Sequence, residues 1–206
     1  MRATHQTFGW LLALFLLGTG CATTGSRPLA WDALPFPRDS DWPGPKGLPA
    51  HIEDGDLILQ GRQVRTQSTY SVPLTIECEF LLEARSGTDG ALEIRLVPID
   101  QPADSNLTQT LYLALSYQPS GEASVAIESC NGSIRAETLW GRKPFELRVG
   151  KPNQLAIQLQ SDGIRFTVNE QTFEAKDVRV PYDRFYIQIW GWRPENRWHV
   201  RKFSIQ

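Results

Sequence analysis

The stretch FYIQIWGWRPENRWHVRKFSIQ, residues 185–206, gives the clearest indication of the fold. Its first part alternates strictly between two kinds of side chain, which predicts a β-strand with one face in the core. The core face would hold Phe185, Ile187 and Ile189, and the other face Tyr186, Gln188, Trp190 and Trp192. A polar turn over residues 193–197 then separates this strand from a second one, so the stretch predicts a hairpin.

Two tryptophans, Trp190 and Trp192, fall on the non-core face of the predicted strand, next to the polar turn. An indole face packs well against the C–H surface of a sugar ring, and arginine and asparagine donate hydrogen bonds to hydroxyls. The sequence therefore predicts a carbohydrate-binding edge. Its ligand-binding residues would be Trp190, Trp192, Arg193, Asn196 and Arg197. Because tryptophan is mostly buried on average, the alternative is that these rings belong to the core.

Alternation of the same kind recurs in short segments across residues 54–206. In residues 74–82, the apolar residues at positions 74, 76, 78, 80 and 82 lie on one face, and Thr75, Glu77 and Glu79 lie on the other. Residues 155–159 and 164–168 alternate on either side of a Ser-Asp-Gly turn. No window has a helical stripe of useful length. Many short strands with one apolar face each predict an all-β fold, an antiparallel β-sandwich of jelly-roll type.

The N-terminus has the pattern of a targeting segment. An apolar run over residues 8–17 follows Arg2 and His5 and is too short to span a bilayer. The small residues before Cys21 are typical of a bacterial lipoprotein cleavage site, in which the cysteine becomes the lipidated first residue. We therefore expect residues 1–21 to be a signal peptide, Cys21 to be the lipid anchor, and the protein to be exported to the bacterial cell envelope. An ordinary secretory signal is the alternative.

Residues 22–53 contain six of the 14 prolines and no strand or helix periodicity. Proline at this density favours an extended, semi-rigid chain, so the segment is predicted to be a tether between the membrane and the domain. Its aromatic residues Trp31, Phe36 and Trp42 are unusual for a bare linker. We therefore expect part of the tether to dock on the domain.

Charge and composition exclude several classes of partner. The net charge is -2 over 206 residues and no basic run occurs, so nucleic acid is not an expected partner. The histidines are far apart and no cysteine pair has zinc-ligand spacing, so no metal or cofactor is expected, although a structural calcium stays open. An exported Cys78 and Cys130 could form a disulfide or remain as two thiols, and the sequence does not decide between them.

Four segments together resemble the concanavalin A-like lectin/glucanase jelly roll. They are Asp54-Gly55-Asp56-Leu57, the glutamate-bearing strand at 74–82, LAIQLQSDGIRFTVN at 155–169, and HVRKFSI at 199–205. Within this fold, the chain is most similar to bacterial 3-keto-disaccharide hydrolase-like domains in envelope lipoproteins. The resemblance implies two curved antiparallel sheets with ligands often held on the concave face. It implies no activity, because the fold hosts enzymes, lectins and structural modules.

Candidate catalytic acids are few. The glucanases of this fold carry Glu-x-Asp-x-x-Glu on one strand, and that pattern is absent here. Glycosidases need two carboxylates across the scissile bond, and the candidates are Glu77 and Glu79 on one strand face, with Glu93 on a later strand. The alternative is a solvated sheet face, on which glutamate is ordinary. Carbohydrate binding is thus the expected function, with a glycoside-processing hydrolase of the keto-disaccharide hydrolase type, or a structural or protein-interaction module, as alternatives.

Overall fold

The computed structural model describes residues 31–33, 50–100, 110–130 and 136–206. These residues form fourteen strands and no helix. The strands are β1 (Trp31–Ala33), β2 (His51–Glu53), β3 (Asp56–Leu59), β4 (Arg62–Thr66), β5 (Leu74–Glu83), β6 (Gly90–Pro98), β7 (Thr110–Tyr117), β8 (Ala123–Cys130), β9 (Ala136–Pro144), β10 (Asn153–Gln160), β11 (Gly163–Val168), β12 (Gln171–Ala175), β13 (Phe185–Gly191) and β14 (Arg197–Ile205).

Two sheets of seven strands each make up the sandwich. Sheet 1 has the order β1-β4-β13-β6-β7-β8-β9, and sheet 2 has the order β12-β11-β10-β5-β14-β3-β2. Neighbouring strands are antiparallel in both sheets. The prediction of an all-β antiparallel sandwich is confirmed.

Alternate residues of both sheets form the core between them, because a strand exposes successive side chains to opposite faces. In β5, Ile76 and Phe80 are buried in the core, whereas Glu77 on the other face is exposed. Cys78 also lies in this core, and burial raises the pKa of its thiol to about 12. Cys130 ends β8 in the opposite sheet, and no disulfide joins the two cysteines.

The last two strands lie in different sheets, so the prediction of a C-terminal hairpin is wrong. β13 pairs with β4 and β6 in sheet 1, and β14 pairs with β3 and β5 in sheet 2. The turn between them carries the chain from one sheet to the other. Alternation of apolar and polar residues indicates which residues face the core but not which strands pair, so the sequence of residues 185–206 does not distinguish a hairpin from two strands in different sheets. Trp198 of β14 is fully buried in the core, with its ring 6.2 Å from that of Phe80.

Two short strands lie inside the segment predicted to be a tether. β1 pairs with β4 at the edge of sheet 1, and β2 pairs with β3 at the edge of sheet 2. Part of residues 22–53 is therefore paired with the sandwich, on one edge of each sheet. The predicted signal peptide and Cys21 lie outside the described residues. Within the described ranges, no helix has the length and apolar character needed to cross a membrane.

Candidate functional site

Strand order and register place two rows of side chains across the face of sheet 1 that points away from the core. The first row crosses β4, β13, β6, β7 and β8 and consists of Gln63, Trp190, Glu93, Ala114 and Ala126. The second row crosses the same strands and consists of Arg65, Gln188, Arg95, Tyr112 and Glu128. We call these two rows the outer-face cluster.

Polar members of the outer-face cluster are buried although they point away from the core. Glu93 is only 4% exposed, and Gln63, Gln188 and Glu128 are each exposed by 9% or less. An outward-facing glutamate or glutamine is ordinarily solvated. Glu93 and Glu128 are instead held by contacts with Arg95 and Tyr112, so this part of the polar layer is preorganised.

Arg95 lies at the centre of the cluster. Its Nε donates to Oε2 of Glu93 at 2.7 Å, and its Nη2 lies 2.6 Å from the same oxygen. The guanidinium also stacks on two aromatic rings, with its Cζ 4.3 Å from the ring centre of Trp190 and 5.0 Å from that of Tyr112. A planar cation is well suited to such a position, because it can bind a carboxylate and stack on rings at once.

Burial and neighbouring charges shift the pKa values of Glu93 and Tyr112 in the cluster. Burial raises the pKa of Glu93, Arg95 counteracts that rise, and the charge of Glu128 adds to it. The hydroxyl of Tyr112 donates to Oε2 of Glu128 at 3.0 Å. Burial, and then the charges of Glu93 and Glu128, raise the pKa of Tyr112. The tyrosine is therefore held as a neutral donor beside Glu128.

Three residues of the predicted sugar-binding edge meet at one end of the cluster. The rings of Trp190 and Trp192 lie 5.5 Å apart and are tilted by 54°. The guanidinium of Arg193 lies 5.9 Å from the ring of Trp192 and donates to both carboxylate oxygens of Asp89, at 3.0 and 3.2 Å. These contacts form an aromatic and cationic rim beside the outer face of sheet 1.

The other two predicted edge residues have different positions. Asn196 is fully buried, and both ends of its side-chain amide are used by the loop before β6. Arg197 belongs to β14 in sheet 2, where its Nη2 lies 2.5 Å from a carboxylate oxygen of Glu53. Neither residue therefore extends the rim formed by Trp190 and Trp192: one holds the turn, and the other points to the far side of the sandwich.

The three predicted catalytic acids are not brought together. Glu77 and Glu79 lie on the outer face of sheet 2, Glu93 lies on the outer face of sheet 1, and the core separates them. Glu79 accepts hydrogen bonds from Gln154 at 2.9 Å and Lys202 at 3.1 Å. Burial acts to raise the pKa of Glu79, but these hydrogen bonds and the charges of Lys202 and Arg201 outweigh it and lower the pKa.

The structure adds residues that the sequence did not single out. They are Arg65, Arg95, Tyr112 and Glu128, which come from four different strands of sheet 1. Each occupies an outward position in a strand whose apolar and polar residues alternate, and this position is the indication that the sequence offered. Their proximity depends on strand order, which the alternation does not encode. Among the described residues, no group of three or more His, Cys, Asp or Glu side chains could hold a metal ion.

The fold is shared with lectin-like β-sandwiches of known structure. The carbohydrate recognition domain of Emp46p in its metal-free form aligns with a TM-score of 0.61 and 15% identity, over 76% of this chain and 84% of that one. The legume lectin-like domain from Entamoeba histolytica aligns with a TM-score of 0.62 and 11% identity, over 85% and 89% of the two chains. At these identities the likeness establishes the fold alone, and the predicted concanavalin A-like jelly roll is confirmed.

Enzyme-related structures share the fold as well. A structure from work on endo-acting O-glycanases, which prominent members of the human gut microbiota express to initiate mucin breakdown, aligns with a TM-score of 0.54 and 14% identity, over 85% of this chain and 90% of that one. No family model and no curated protein matches the sequence. The finer resemblance to keto-disaccharide hydrolase-like domains therefore stays a prediction.

Proposed function

We propose that this protein binds carbohydrate on the outer face of sheet 1, and that a lipid on Cys21 holds it at the bacterial cell envelope. One observation carries the binding proposal. The Trp190–Trp192 pair adjoins a polar layer that is already fixed by Arg95, away from the core. Such a surface offers ring faces for stacking and oriented polar groups for hydroxyls, which is what sugar recognition requires.

Preorganisation favours this function over a purely structural role. Holding Glu93 and Arg95 in an ion pair under an aromatic ring costs side-chain entropy and desolvation, and such a pair adds little net stability compared with apolar packing. A polar layer that is fixed before a ligand arrives lowers the entropy lost on binding. The structural neighbours support the same function, since one is the carbohydrate recognition domain of Emp46p and the other is a legume lectin-like domain from Entamoeba histolytica.

The test is a glycan panel. The full chain, purified in detergent, is screened against polysaccharides and oligosaccharides for both retention and product release. Replacing Trp190 or Trp192 by alanine should weaken binding by roughly 0.5–1.5 kcal/mol or more, the worth of an aromatic contact beyond its area. Glu79→Gln, on the opposite face of the sandwich, should leave binding unchanged. If the well-folded parent protein binds no glycan of the panel, the proposal is wrong, and a structural or protein-interaction module is favoured.

A glycoside-processing hydrolase is the second candidate, and the acids of the outer-face cluster favour it. Glu93 has a raised pKa, caused first by burial, and the charge of Glu128 contributes to it. A carboxyl whose pKa is raised by burial and by a nearby acid is a feature that the general acid of glycoside hydrolysis shares. Product release by the parent that disappears in Glu93→Gln or Glu128→Gln, with binding preserved, would establish this function. Retention without any product favours the binding function.

A further inference from the structure

The edge strand β9 does not pair evenly with β8. Trp140 lies opposite Ile127, whereas Lys143 lies opposite Val125, so three steps along β9 match two steps along β8. Both of the β8 residues belong to the core. A strand with an extra residue of this kind forms a β-bulge, which changes the direction of the side chains around it. The bulge lies between Trp140 and Lys143 of β9.

This bulge turns Arg142 to the outer face of sheet 1. Trp140 points to the core side, where its ring meets that of Phe166 at 5.4 Å. Strict alternation would place Arg142, two residues later, on the core side as well. Its Nη2 instead lies 3.7 Å from Oε1 of Glu128, a member of the outer-face cluster. The side chain of Arg142 is 64% exposed, so a ligand reaches it without a pocket.

The contact between Arg142 and Glu128 leaves room for a third group. A separation of 3.7 Å is longer than a hydrogen bond, about 2.7–3.2 Å, and Arg142 makes no hydrogen bond to the described residues. The other carboxylate oxygen of Glu128 accepts from Tyr112 at 3.0 Å. A sugar hydroxyl both donates and accepts. It can therefore accept from the guanidinium of Arg142 while it donates to Oε1 of Glu128.

The Arg142–Glu128 contact lies far from the tryptophan rim on the same face. Trp190 belongs to β13 and Glu128 to β8, and β6 and β7 lie between these strands. Three strand spacings amount to about 14 Å. Arg142 belongs to β9, one strand further from the rim. A single sugar ring does not span this distance, so only an oligosaccharide contacts both ends of the face.

We propose that the ligand is an oligosaccharide or polysaccharide that lies across the strands of sheet 1, with one sugar residue on the tryptophan rim and another hydrogen-bonded to Arg142. Arg142 is then a specificity-determining residue that favours longer chains. This inference rests on the proposed carbohydrate-binding function. The alternative is that Arg142 only neutralises Glu128, and an ion pair with so exposed an arginine contributes little to stability.

The test is a series of chain lengths. The full chain in detergent is titrated with cello-, laminari-, xylo- and malto-oligosaccharides, each from the monosaccharide to the hexasaccharide. In at least one series, affinity should rise at least about tenfold with length, the effect of a hydrogen bond to a charged group. Arg142→Gln should abolish this rise and leave the binding of the shortest members unchanged. Arg142→Lys keeps the charge but loses the planar fork, so it should restore only part of the rise.

Lys143→Gln is the matched control, because it removes the same charge from the next position of β9, opposite the core residue Val125. It should keep the length dependence of the parent, whereas Trp190→Ala should weaken binding at every length. Affinity that does not depend on length, or a length dependence that Arg142→Gln retains, would overturn the inference and leave the proposed function intact. If no series binds, the inference is wrong, and the glycan panel decides separately on the proposed function.

Discussion

The side-chain amide of Asn196 donates to the backbone carbonyl of Asp89 at 2.7 Å, although 107 residues separate them in the chain. Its Oδ1 accepts from the backbone N–H of Arg85 at 3.1 Å and from the hydroxyl of Thr88 at 2.8 Å. One buried side chain thus fixes the loop before β6 against the turn between the two sheets. Arg193 binds the carboxylate of the same Asp89, so this junction also positions the aromatic rim.

We expect Asn196→Ala to destabilise the protein by about 2 kcal/mol, because it removes the three hydrogen bonds that this fully buried side chain makes to the loop before β6. Chemical denaturation measures this loss. Gly90→Ala should have a similar effect, since a Cβ there would collide with the amide nitrogen of Asn196. Glu195→Ala, one residue earlier in the turn, is the control and should stay within about 0.5 kcal/mol of the parent. Parent-like stability of Asn196→Ala would mean that the junction does not hold the two segments together.

The second prediction concerns the core. Phe166 is 1% exposed, and its ring stacks on that of Phe173 at 5.2 Å and meets the edge of Trp140 at 5.4 Å. Phe166→Ala should cost about 3–5 kcal/mol, the range for a buried phenylalanine. Glu77→Gln, on the exposed face of β5, should be nearly neutral. Urea unfolding of both variants checks the strand register, and a Phe166→Ala variant as stable as the parent would contradict it.

Local patterns predicted the fold well because period-two alternation is a property of each strand alone. The inward faces of β5, β10, β11 and β13 were assigned correctly from sequence. Pairing is not local: β13 lies between β4 and β6, and nothing in residues 185–206 indicates those neighbours. The outer-face cluster joins side chains from strands that are distant in sequence. Arg65 and Glu128 stand in one row only because β4 and β8 lie in one sheet.

Asn196 illustrates a second limit. Turn residues usually lie at the surface, and asparagine beside arginine suggested a donor for sugar hydroxyls. The structure instead buries this residue completely, because the turn crosses from one sheet to the other and lies over the loop before β6. Trp190 could be assigned to the outward face from the strand alone, whereas the position of Asn196 depends on a contact with a loop far away in sequence.

The third prediction is a pH dependence with opposite signs on the two faces. Burial raises the pKa of Glu93, so the folded protein retains this proton to a higher pH than the unfolded chain does. Its contribution to stability is fully present below the ordinary glutamate pKa, about 4.3, and is lost as pH rises through the raised value. Hydrogen bonds and nearby cations outweigh burial and lower the pKa of Glu79, whose contribution is present above the ordinary value and is lost as pH falls.

Denaturant unfolding of the parent, Glu93→Gln and Glu79→Gln from about pH 3 to pH 8 measures both effects. The free energy of unfolding of the parent relative to Glu93→Gln should decrease as pH rises above the ordinary glutamate pKa. Relative to Glu79→Gln, the free energy of unfolding of the parent should decrease as pH falls below the ordinary glutamate pKa. If the difference in unfolding free energy between the parent and each variant changes in the same direction with pH, the environment of one of the two acids differs from the one described.

The last prediction concerns attachment to the membrane. The apolar run at residues 8–17 and the small residues before Cys21 motivate the expectation that Cys21 is lipidated and that the preceding residues are removed. A single saturated chain binds a membrane only marginally, so stable attachment needs more than one acyl chain on this residue. Cys21→Ser should therefore release the protein from the membrane fraction, or leave it with an uncleaved N-terminus. Cell fractionation with metabolic fatty-acid labelling follows both outcomes. Cys130→Ser, which removes a thiol at the end of β8, should keep the label and the membrane location. A Cys21→Ser protein that is processed, labelled and membrane-bound like its parent would show that another feature provides the anchor.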